Sequence, residues 1–588
     1  MINQEISKIF REMAEYLAME NIPFKPQAYE KAGMNIEALE RDVADIYKSE
    51  GMSGLEGIPG IGKNMADKIA EYIKTGKIKE YQQLKKKLPV DLSELMRVGG
   101  LGPKRIKILY QKLKIKNLGD LERAIAAHKI SRLDGFGEKT EENILKSIEF
   151  LKKSGGRFVL GYILPQIEEI IGKLKKLKEV EQIEVAGSVR RTKETIGDCD
   201  ILITSKNPKS VMYFFIKLPE VVNVLAHGKT KSVVRLKDGL EVDLRVVEPE
   251  SFGAALQYFT GNKEHNIALR KIAIDKGYKL NEYGLFAVKS LKLKVKREIQ
   301  IAGRTEEEVY EKLGLVWVPP EMRENTGEIE LAQKVFQKRA KMPDLINYGD
   351  LKGDLQIQTN WTDGENSIEE MAKKAIEIGL EYIVITDHTK SLAMTGGLDE
   401  KKLLKQIEAI DEANHKFQAS GFKFQVLKGA EVNILKDGLL DISDEVLAQL
   451  DIVGAAVHSH FNLSKKEQTE RIKKAMRNKN VDIIFHPTGR VINKRPAYEL
   501  DIEEIIKTAK ETGTILEIDA YPDRLDLKDE YIRKAIRSGV KLSINSDAHN
   551  ISHLHYLYFG IAQARRGWAE KKDIINAWPL EKMLKMLK

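Results

Sequence analysis

The sequence predicts a multidomain α/β chain: a helical amino-terminal region, an α+β sheet domain, and a carboxy-terminal barrel of alternating strands and helices. Three observations carry this prediction. Gly-x-Gly pairs open helix-like segments three times before residue 150, beginning at Gly60, Gly100 and Gly135. Two apolar alternating segments, CDILI after Asp198 and LEVDLRVV around Asp243, carry acids on one face and read as strands. From Gly353 onward, apolar runs such as EYIVITDH, DIVGAAVHSH and KLSINSDAH end in histidine or carboxylate, each followed by a polar helical stretch, as repeated βα units require.

Composition bounds the rest. A chain of 588 residues exceeds one hydrophobic core and implies about three or four domains. Lys and Arg total 97 against 88 Asp and Glu, but residues 51 to 300 alone carry 48 basic and 31 acidic side chains. That stretch suits a polyanionic partner. The single cysteine, Cys199, cannot form an internal disulfide and fits a reducing cytoplasm. Flanked by Asp198 and Asp200, it is expected on the opposite, core-facing side of its strand. The start MINQEISKIFREM has no signal-peptide pattern and no apolar run reaches spanning length, so a soluble cytoplasmic monomer with no membrane partner is expected.

In chain order, residues 1 to 80 read as short helices, with Ile6, Ile9, Phe10, Met13 and Leu17 marking the first apolar face. The run GIPGIGKNMADKIAEYI, with Gly60 and Gly62, resembles a helix-hairpin-helix motif, whose backbone N–H groups bind a DNA phosphate without reading sequence. The pattern recurs at Gly100 and Gly102, where Lys104 and Arg105 add positive charge at the helix start, and again at Gly135 and Gly137.

The densest chemistry lies in GSVRRTKETIGDCDILI. Gly187 and Ser188 occupy a turn, and Asp198 and Asp200 share one strand face. A neighbouring strand can bring Asp243 beside them. Three such acids repel unless hard cations sit between them, and a pair of magnesium ions there can clamp the attacking and leaving oxygens of a phosphoryl transfer. The constellation resembles the nucleotidyltransferase superfamily, and most closely the palm of family X DNA polymerases, because the likeness continues through ALQYFTGNKEHNIALRKIAIDKGYKLNEYGL. The resemblance implies that Asp198 and Asp200 hold both Mg2+ ions while Asp243 helps activate a primer 3′-hydroxyl. It also implies that Arg157 and Arg191 reach the triphosphate, with Gly187 and Ser188 beside them. Tyr258, Phe259 and Gly261 would form a turn against the sugar ahead of a helix from Asn262, with Asn266 and Arg270 facing nucleotide and template. In the small amino-terminal domain the same likeness puts Lys68 at the Schiff-base position of relatives that remove deoxyribose phosphate, with Lys25 and Tyr29 nearby on the DNA side. Asn64 and Glu30 depart from that pattern.

In the barrel, Asp363, His388, Glu431, His458, His486, Asp547 and His549 all lie at or just past carboxyl ends of strands, which share one mouth. Such groups imply two or three metals of the zinc, manganese or iron kind. Their order, with HPTGR, EIDAYPDRLDL and SDAH, resembles the PHP domain, which hydrolyses phosphoesters with a metal-activated water; His460 is a further candidate. The family's opening motif presents histidine, whereas this chain has Gln356 and Gln358, and Asp519 stands where asparagine is usual.

The expected division is a small helical DNA-binding domain at 1–80, a helix-hairpin-helix region at 81–154, a palm at 155–255, a nucleotide-closing subdomain at 256–316, a linker at 317–350 and the PHP domain at 351–588. The expected function is a DNA-directed DNA polymerase that fills short gaps in repair, acting on gapped or primer-template DNA with deoxynucleoside triphosphates. Its cofactors would be Mg2+ in the palm and Zn2+ or Mn2+ in the barrel, where 3′-5′ exonuclease activity is left open by Gln358. The alternatives are a non-DNA nucleotidyltransferase, acting on RNA ends or without a template, and a PHP phosphoesterase with a polymerase-like DNA-binding module.

Overall fold

The computed structural model describes residues 2–20, 22, 25–37, 39, 41–58, 60–96, 98, 101–138, 140–142, 144–145, 148, 152, 156–290, 296–392, 395–421 and 423–587. The amino-terminal region is helical. Its first helix, Ile2–Met19, buries Ile6, Phe10, Met13 and Leu17, the face its spacing predicts. The expected boundary at residue 80 does not divide the core: one apolar cluster runs from Ile6 to Ile148, and the Tyr16 hydroxyl donates to the Val90 carbonyl at 3.1 Å. Gly62 caps the helix Lys63–Thr75 and Gly102 caps Pro103–Leu113. Gly100 lies outside the described residues, as do residues 291–295.

The palm is a five-stranded sheet in the order Val180–Val185, Asp198–Ser205, Glu241–Val246, Lys231–Leu236, Val221–His227. Only the second and third strands pair in parallel. Helices Leu160–Lys175 and Pro208–Ile216 cover one face and bury Ile167, Ile170, Met212 and Phe215 against Cys199, Ile201 and Ile203. On the opposite face Leu202 packs with Ala186, Phe252 and Ala255, and Asp198 and Asp200 lie at the start of their strand.

Beyond the palm, helices Phe252–Thr260 and Lys263–Asp275 pack with a three-stranded meander, Tyr278–Asn281, Gly284–Ser290 and Lys296–Ala302. The YFTG segment therefore ends a helix instead of forming a free turn, and Gly261 (φ 67°) redirects the chain into the next one.

The stretch 317–350 is not a linker. Val318, Met322, Ile329 and Ala332 belong to the same core as Leu269 and Tyr310, and Arg323 is fully buried. Paired prolines signal a chain reversal here: Pro320–Met322 is a single 3-10 turn that aims Arg323 inward. Further on, Leu345 bridges to Glu570 and Ile346 enters the barrel core, so this segment fastens the two halves.

The carboxy-terminal domain is a seven-stranded parallel sheet whose strands run in sequence order from Gly353–Ile357 to Leu542–Asn545. A parallel bridge between Ile357 and Ala548, with Gln358 N–H donating to the Ala548 carbonyl at 2.9 Å, brings its last strand against its first. Among the described residues, no helix is long and apolar enough to cross a membrane.

Candidate functional site

The palm acids are placed by register. Asp200 pairs with Asp243 across the parallel strands, and Asp198 pairs with Glu241. Cys199, between the two aspartates, is 1% exposed and faces the core. Gly187 lies against the acids from above: its φ is 61°, and a Cβ there would sit 2.6 Å from Asp200 Oδ2. Only glycine fits such an approach. Burial, followed by repulsion from Asp243 and Asp198, pushes the Asp200 carboxyl up to about 7, against the pull of Arg245. Arg245 holds Asp243 Oδ2 at 3.0 Å, with Lys231 at 3.8 Å, while Asp243 Oδ1 is buried without a hydrogen-bond partner. Oxygen ligands on one face, raised proton affinity and an unpartnered carboxylate oxygen are what a hard divalent cation would neutralise.

Around this face the expected nucleotide residues divide. Arg157 stands at the rim, its Nε donating to Thr195 Oγ1 at 2.9 Å. Ser188 lies in the short helix Gly187–Arg190. Phe259 stacks under the Arg245 guanidinium at 4.5 Å and meets Tyr258 edge-on. Arg270 is exposed on its helix. Two others have structural work. Asn266 ties the consecutive helices together, donating to the Tyr258 carbonyl at 2.6 Å and accepting from Gln257 at 2.7 Å. Arg191, expected at the triphosphate, donates to Glu324 at 3.0 Å and to the Thr260 carbonyl.

Sequence reasoning missed the cluster that fixes the palm against its neighbour. Glu306 accepts paired hydrogen bonds from Arg190 (2.8 and 2.9 Å) and from Arg323 (2.6 and 3.0 Å), plus one from Trp317 Nε1 at 2.9 Å. Burial opposes its charge, but Arg323 and Arg190 hold the carboxyl far below its ordinary range. No local motif announces it, since its partners lie 116 and 17 residues away.

In the amino-terminal region, Gly62 and Gly102 face open space at helix starts, Gly60 takes φ 81°, and Lys104 is exposed, as a phosphate grip requires. The Arg105 guanidinium lies 5.5 Å from the Phe136 ring centre, and Lys25 is exposed at its helix start. Tyr29 corrects its expected DNA contact: it is 4% exposed and packs edge-on against Phe10. Lys68, the expected nucleophile, is paired. Burial pushes its ammonium pKa down, but Glu80 at 2.9 Å and the Tyr29 hydroxyl push it up further, leaving a net rise. A paired, protonated amine is a poor Schiff-base former.

In the barrel all seven expected ligands meet at one mouth, with Glu431 at the hub. His486 Nε2 lies 2.8 Å and His458 Nε2 3.0 Å from its Oε1; His388 Nδ1 lies 3.4 Å from its Oε2. Burial works against its charge, yet His388, His458 and His486 hold the carboxyl well below its ordinary range. Two overlapping groups have ligand atoms within 4.8 Å of one another: Asp363, His388 and His549, and His388, Glu431 and His458. His458 is oriented by Asn433, its Nδ1 lying 2.8 Å from Oδ1, the support a metal-binding imidazole takes. Asp387 anchors the loop carrying Asp363, accepting from Thr359 N–H at 2.8 Å and Thr359 Oγ1 at 2.6 Å. His486 (φ 30°) and Asp547 (φ 51°) hold left-handed backbone at strand ends, strain that concentrates at functional sites. These groups fit divalent ions. His460 lies apart, in a cleft of about 820 Å³ with Phe461, Arg495 and Tyr498.

Comparison with known proteins matches each part. The helix-hairpin-helix domain family matches residues 1–78, a SAM-like helix-hairpin-helix tandem 92–149, the DNA polymerase beta palm 165–262, the DNA polymerase beta thumb 255–324 and the PHP domain 354–521. The chain is 38% identical over 591 residues to the DNA polymerase/3'-5' exonuclease PolX of Bacillus subtilis (strain 168), covering all of both chains. Its barrel alone is similar to probable phosphatases: 33% identical over 198 residues to one of Thermoanaerobacter pseudethanolicus, and 30% over 192 residues to one of Acetivibrio thermocellus, in each case 31% of this chain and 73% of the relative. With an end-to-end relative and the palm acids in register, the chain belongs to the family X DNA polymerases that carry a PHP domain.

Proposed function

We propose that the chain fills short gaps in DNA, extending a primer 3′-hydroxyl with deoxynucleoside triphosphates on a template. The observation that carries this reading is the pairing of Asp200 with Asp243 on adjacent parallel strands, with Asp198 two residues away on the same face. Both centres use divalent metal ions; Mg2+ is the ion proposed for the palm and Zn2+ or Mn2+ for the barrel. Bound in the palm, such ions supply Lewis acidity and in-line geometry. Asp198 and Asp200 would hold them, while Asp243, which Arg245 holds at 3.0 Å, would help draw the proton from the primer hydroxyl. Phe259, braced by Arg245, shapes the sugar side of the pocket. The hairpins at Gly62 and Gly102 grip phosphates on either side of the gap.

Barrel chemistry is a second activity, metal-dependent phosphoester hydrolysis in the 3′-5′ exonuclease sense, supported by the two overlapping ligand groups around His388. The protein is proposed to work as a cytoplasmic monomer on gapped or primer-template DNA. Primer extension on gapped DNA tests the main reading: Asp198→Ala abolishes synthesis with DNA binding intact, and unimpaired synthesis overturns it. For the barrel, a labelled primer incubated with Mn2+ and no nucleotides is shortened from its 3′ end by wild type and not by Asp547→Ala.

A further inference from the structure

The seven expected barrel ligands do not share one environment. Asp363, His388, His549, Glu431 and His458 form the two overlapping groups. His486 and Asp547 fall outside those groups: His486 Nε2 meets Glu431 Oε1 at 2.8 Å beside His458, and Asp547 lies with Asp519 and Arg524. N–H donors face these acids. Gln356 Nε2 donates to Glu431 Oε2 at 3.1 Å and Gln358 Nε2 donates to the same oxygen at 2.7 Å. Arg524 Nε lies 3.5 Å from Asp519 Oδ2 and 3.4 Å from Asp547 Oδ2. Both glutamines and Asp519 are fully buried, and Asp547 is 3% exposed.

Amide nitrogens that donate to a carboxylate present hydrogens, not lone pairs, to the space beside it, and a neutral amide offers a zinc-like ion neither charge nor an imidazole nitrogen. Turning the amides so that their oxygens faced a metal would set them against the buried Glu431 carboxylate or leave its oxygen without donors. The guanidinium meanwhile supplies a permanent positive charge to two carboxylates that would otherwise repel each other. Gln356 Oε1 and Gln358 Oε1 are buried without a hydrogen-bond partner, yet as neutral oxygens they supply neither the charge nor the imidazole nitrogen that a zinc-like ion takes.

We propose that the barrel binds two divalent ions through the residues of these overlapping groups, the His388 imidazole serving one of them, and that the Arg524 guanidinium stands in for a third ion between Asp519 and Asp547. Arg524 is a positioning residue: it holds Asp547, and through the Asp547 carbonyl, which lies 2.8 Å from His549 Nδ1, the imidazole that serves one of the two ions. This inference rests on the reading of the barrel as a metal centre.

The test is metal stoichiometry on the full-length chain carrying Asp198→Ala and Asp200→Ala, so that the palm contributes no ions. The apoprotein is loaded with Mn2+ or Co2+, desalted and measured by plasma mass spectrometry, with the Co2+ absorption spectrum as a second readout. Two equivalents per chain are expected. Adding Gln356→His and Gln358→His with Arg524 retained should leave two, and further replacing Arg524→Ala should raise the count to three. Three equivalents in the starting protein, or a third gained from the two histidines alone, overturns the inference while leaving the metal centre standing. No bound ion in the starting protein overturns the metal-centre reading itself. If the triple substitution melts at lower temperature or fails to fold, the counts for the starting protein and for the two-histidine variant still decide the matter.

Discussion

The palm and the barrel both gather acids for metal chemistry, and they do so by opposite means. In the palm, three carboxylates are set side by side by strand register, and burial together with their mutual repulsion lifts the Asp200 carboxyl to about 7. Among the described residues, ligand groups whose atoms all lie within 4.8 Å of one another occur in the barrel, not in the palm. In the barrel the hub carboxylate, Glu431, is surrounded by three imidazoles and two amides that stabilise its charge. A sheet can hold acids apart at fixed spacing because its backbone hydrogen bonds do not depend on them. A barrel mouth built from loop and strand-end residues has no such frame, and its ligands hold one another.

The largest effect expected from breaking this contrast is kinetic. Asp200→Ala should lower single-turnover nucleotide incorporation by roughly four orders of magnitude, as loss of one member of a catalytic unit does. The metal content of the barrel should not change. A parallel loss of barrel metal would mean that the two centres are not independent.

Stability should respond with opposite signs. With a chelator present, Glu431→Ala strands the donors that converge on it and should destabilise the protein by about 3–5 kcal/mol, the range for breaking a buried charged network. Asp200→Asn removes like-charge repulsion from the palm and should stabilise the chelated protein by about 1 kcal/mol. Urea melts of both variants check this. The contrast fails if the two shifts share a sign.

What the sequence made legible follows the same division. Strand alternation is local, so placing Asp198 and Asp200 on one face and Cys199 on the other needed only the period of two. The barrel ligands were readable because each ends an apolar run, and parallel βα units put all such ends at one mouth. Contacts made across the chain were not readable. Arg191 looks free in sequence, yet it is committed to Glu324, 133 residues away. Tyr29 and Lys68 look like a surface pair until Phe10 and Glu80 close around them. The stretch 317–350 reads as a tether because its prolines and acids are loop-like, whereas its Arg323 and Glu328 are core residues with buried partners. Arg524 had a faint signal: a basic residue between Asp523 and Asp526, just past the strand that ends in Asp519.

The junction between the two centres offers a smaller and pH-dependent effect. Glu324 lies between them, 3.0 Å from Arg191 of the palm and 3.3 Å from Arg566 of the barrel domain. Burial pushes its pKa up, but Arg566, Lys193 and Arg191 bring the carboxyl down to about 2. Because the folded pKa lies below the unfolded value, of about 4.3, its contribution is fully present above pH 4.3 and is lost as pH falls toward 2. Glu324→Gln should therefore cost about 1–3 kcal/mol at pH 7. The difference from wild type should shrink between pH 4 and pH 3 in urea melts. A difference that stays constant with pH would assign the loss to packing instead of charge.

The smallest effect separates the centres by substrate. Lys104 is exposed at the start of Pro103–Leu113, where the Gly102 backbone is open to a phosphate. If this hairpin holds DNA for the palm, Lys104→Ala removes one phosphate contact. The slope of log affinity for gapped DNA against log salt should then fall by about 0.9, with affinity reduced only a fewfold at moderate salt. Synthesis at limiting DNA should drop in proportion and recover when DNA is in excess. Hydrolysis of a small phosphomonoester by the barrel should be unaffected, because so small a substrate makes no contact with the hairpins. Equal losses in both assays would mean that Lys104 supports the fold of the whole chain, and an unchanged salt slope would place the DNA elsewhere on the basic stretch.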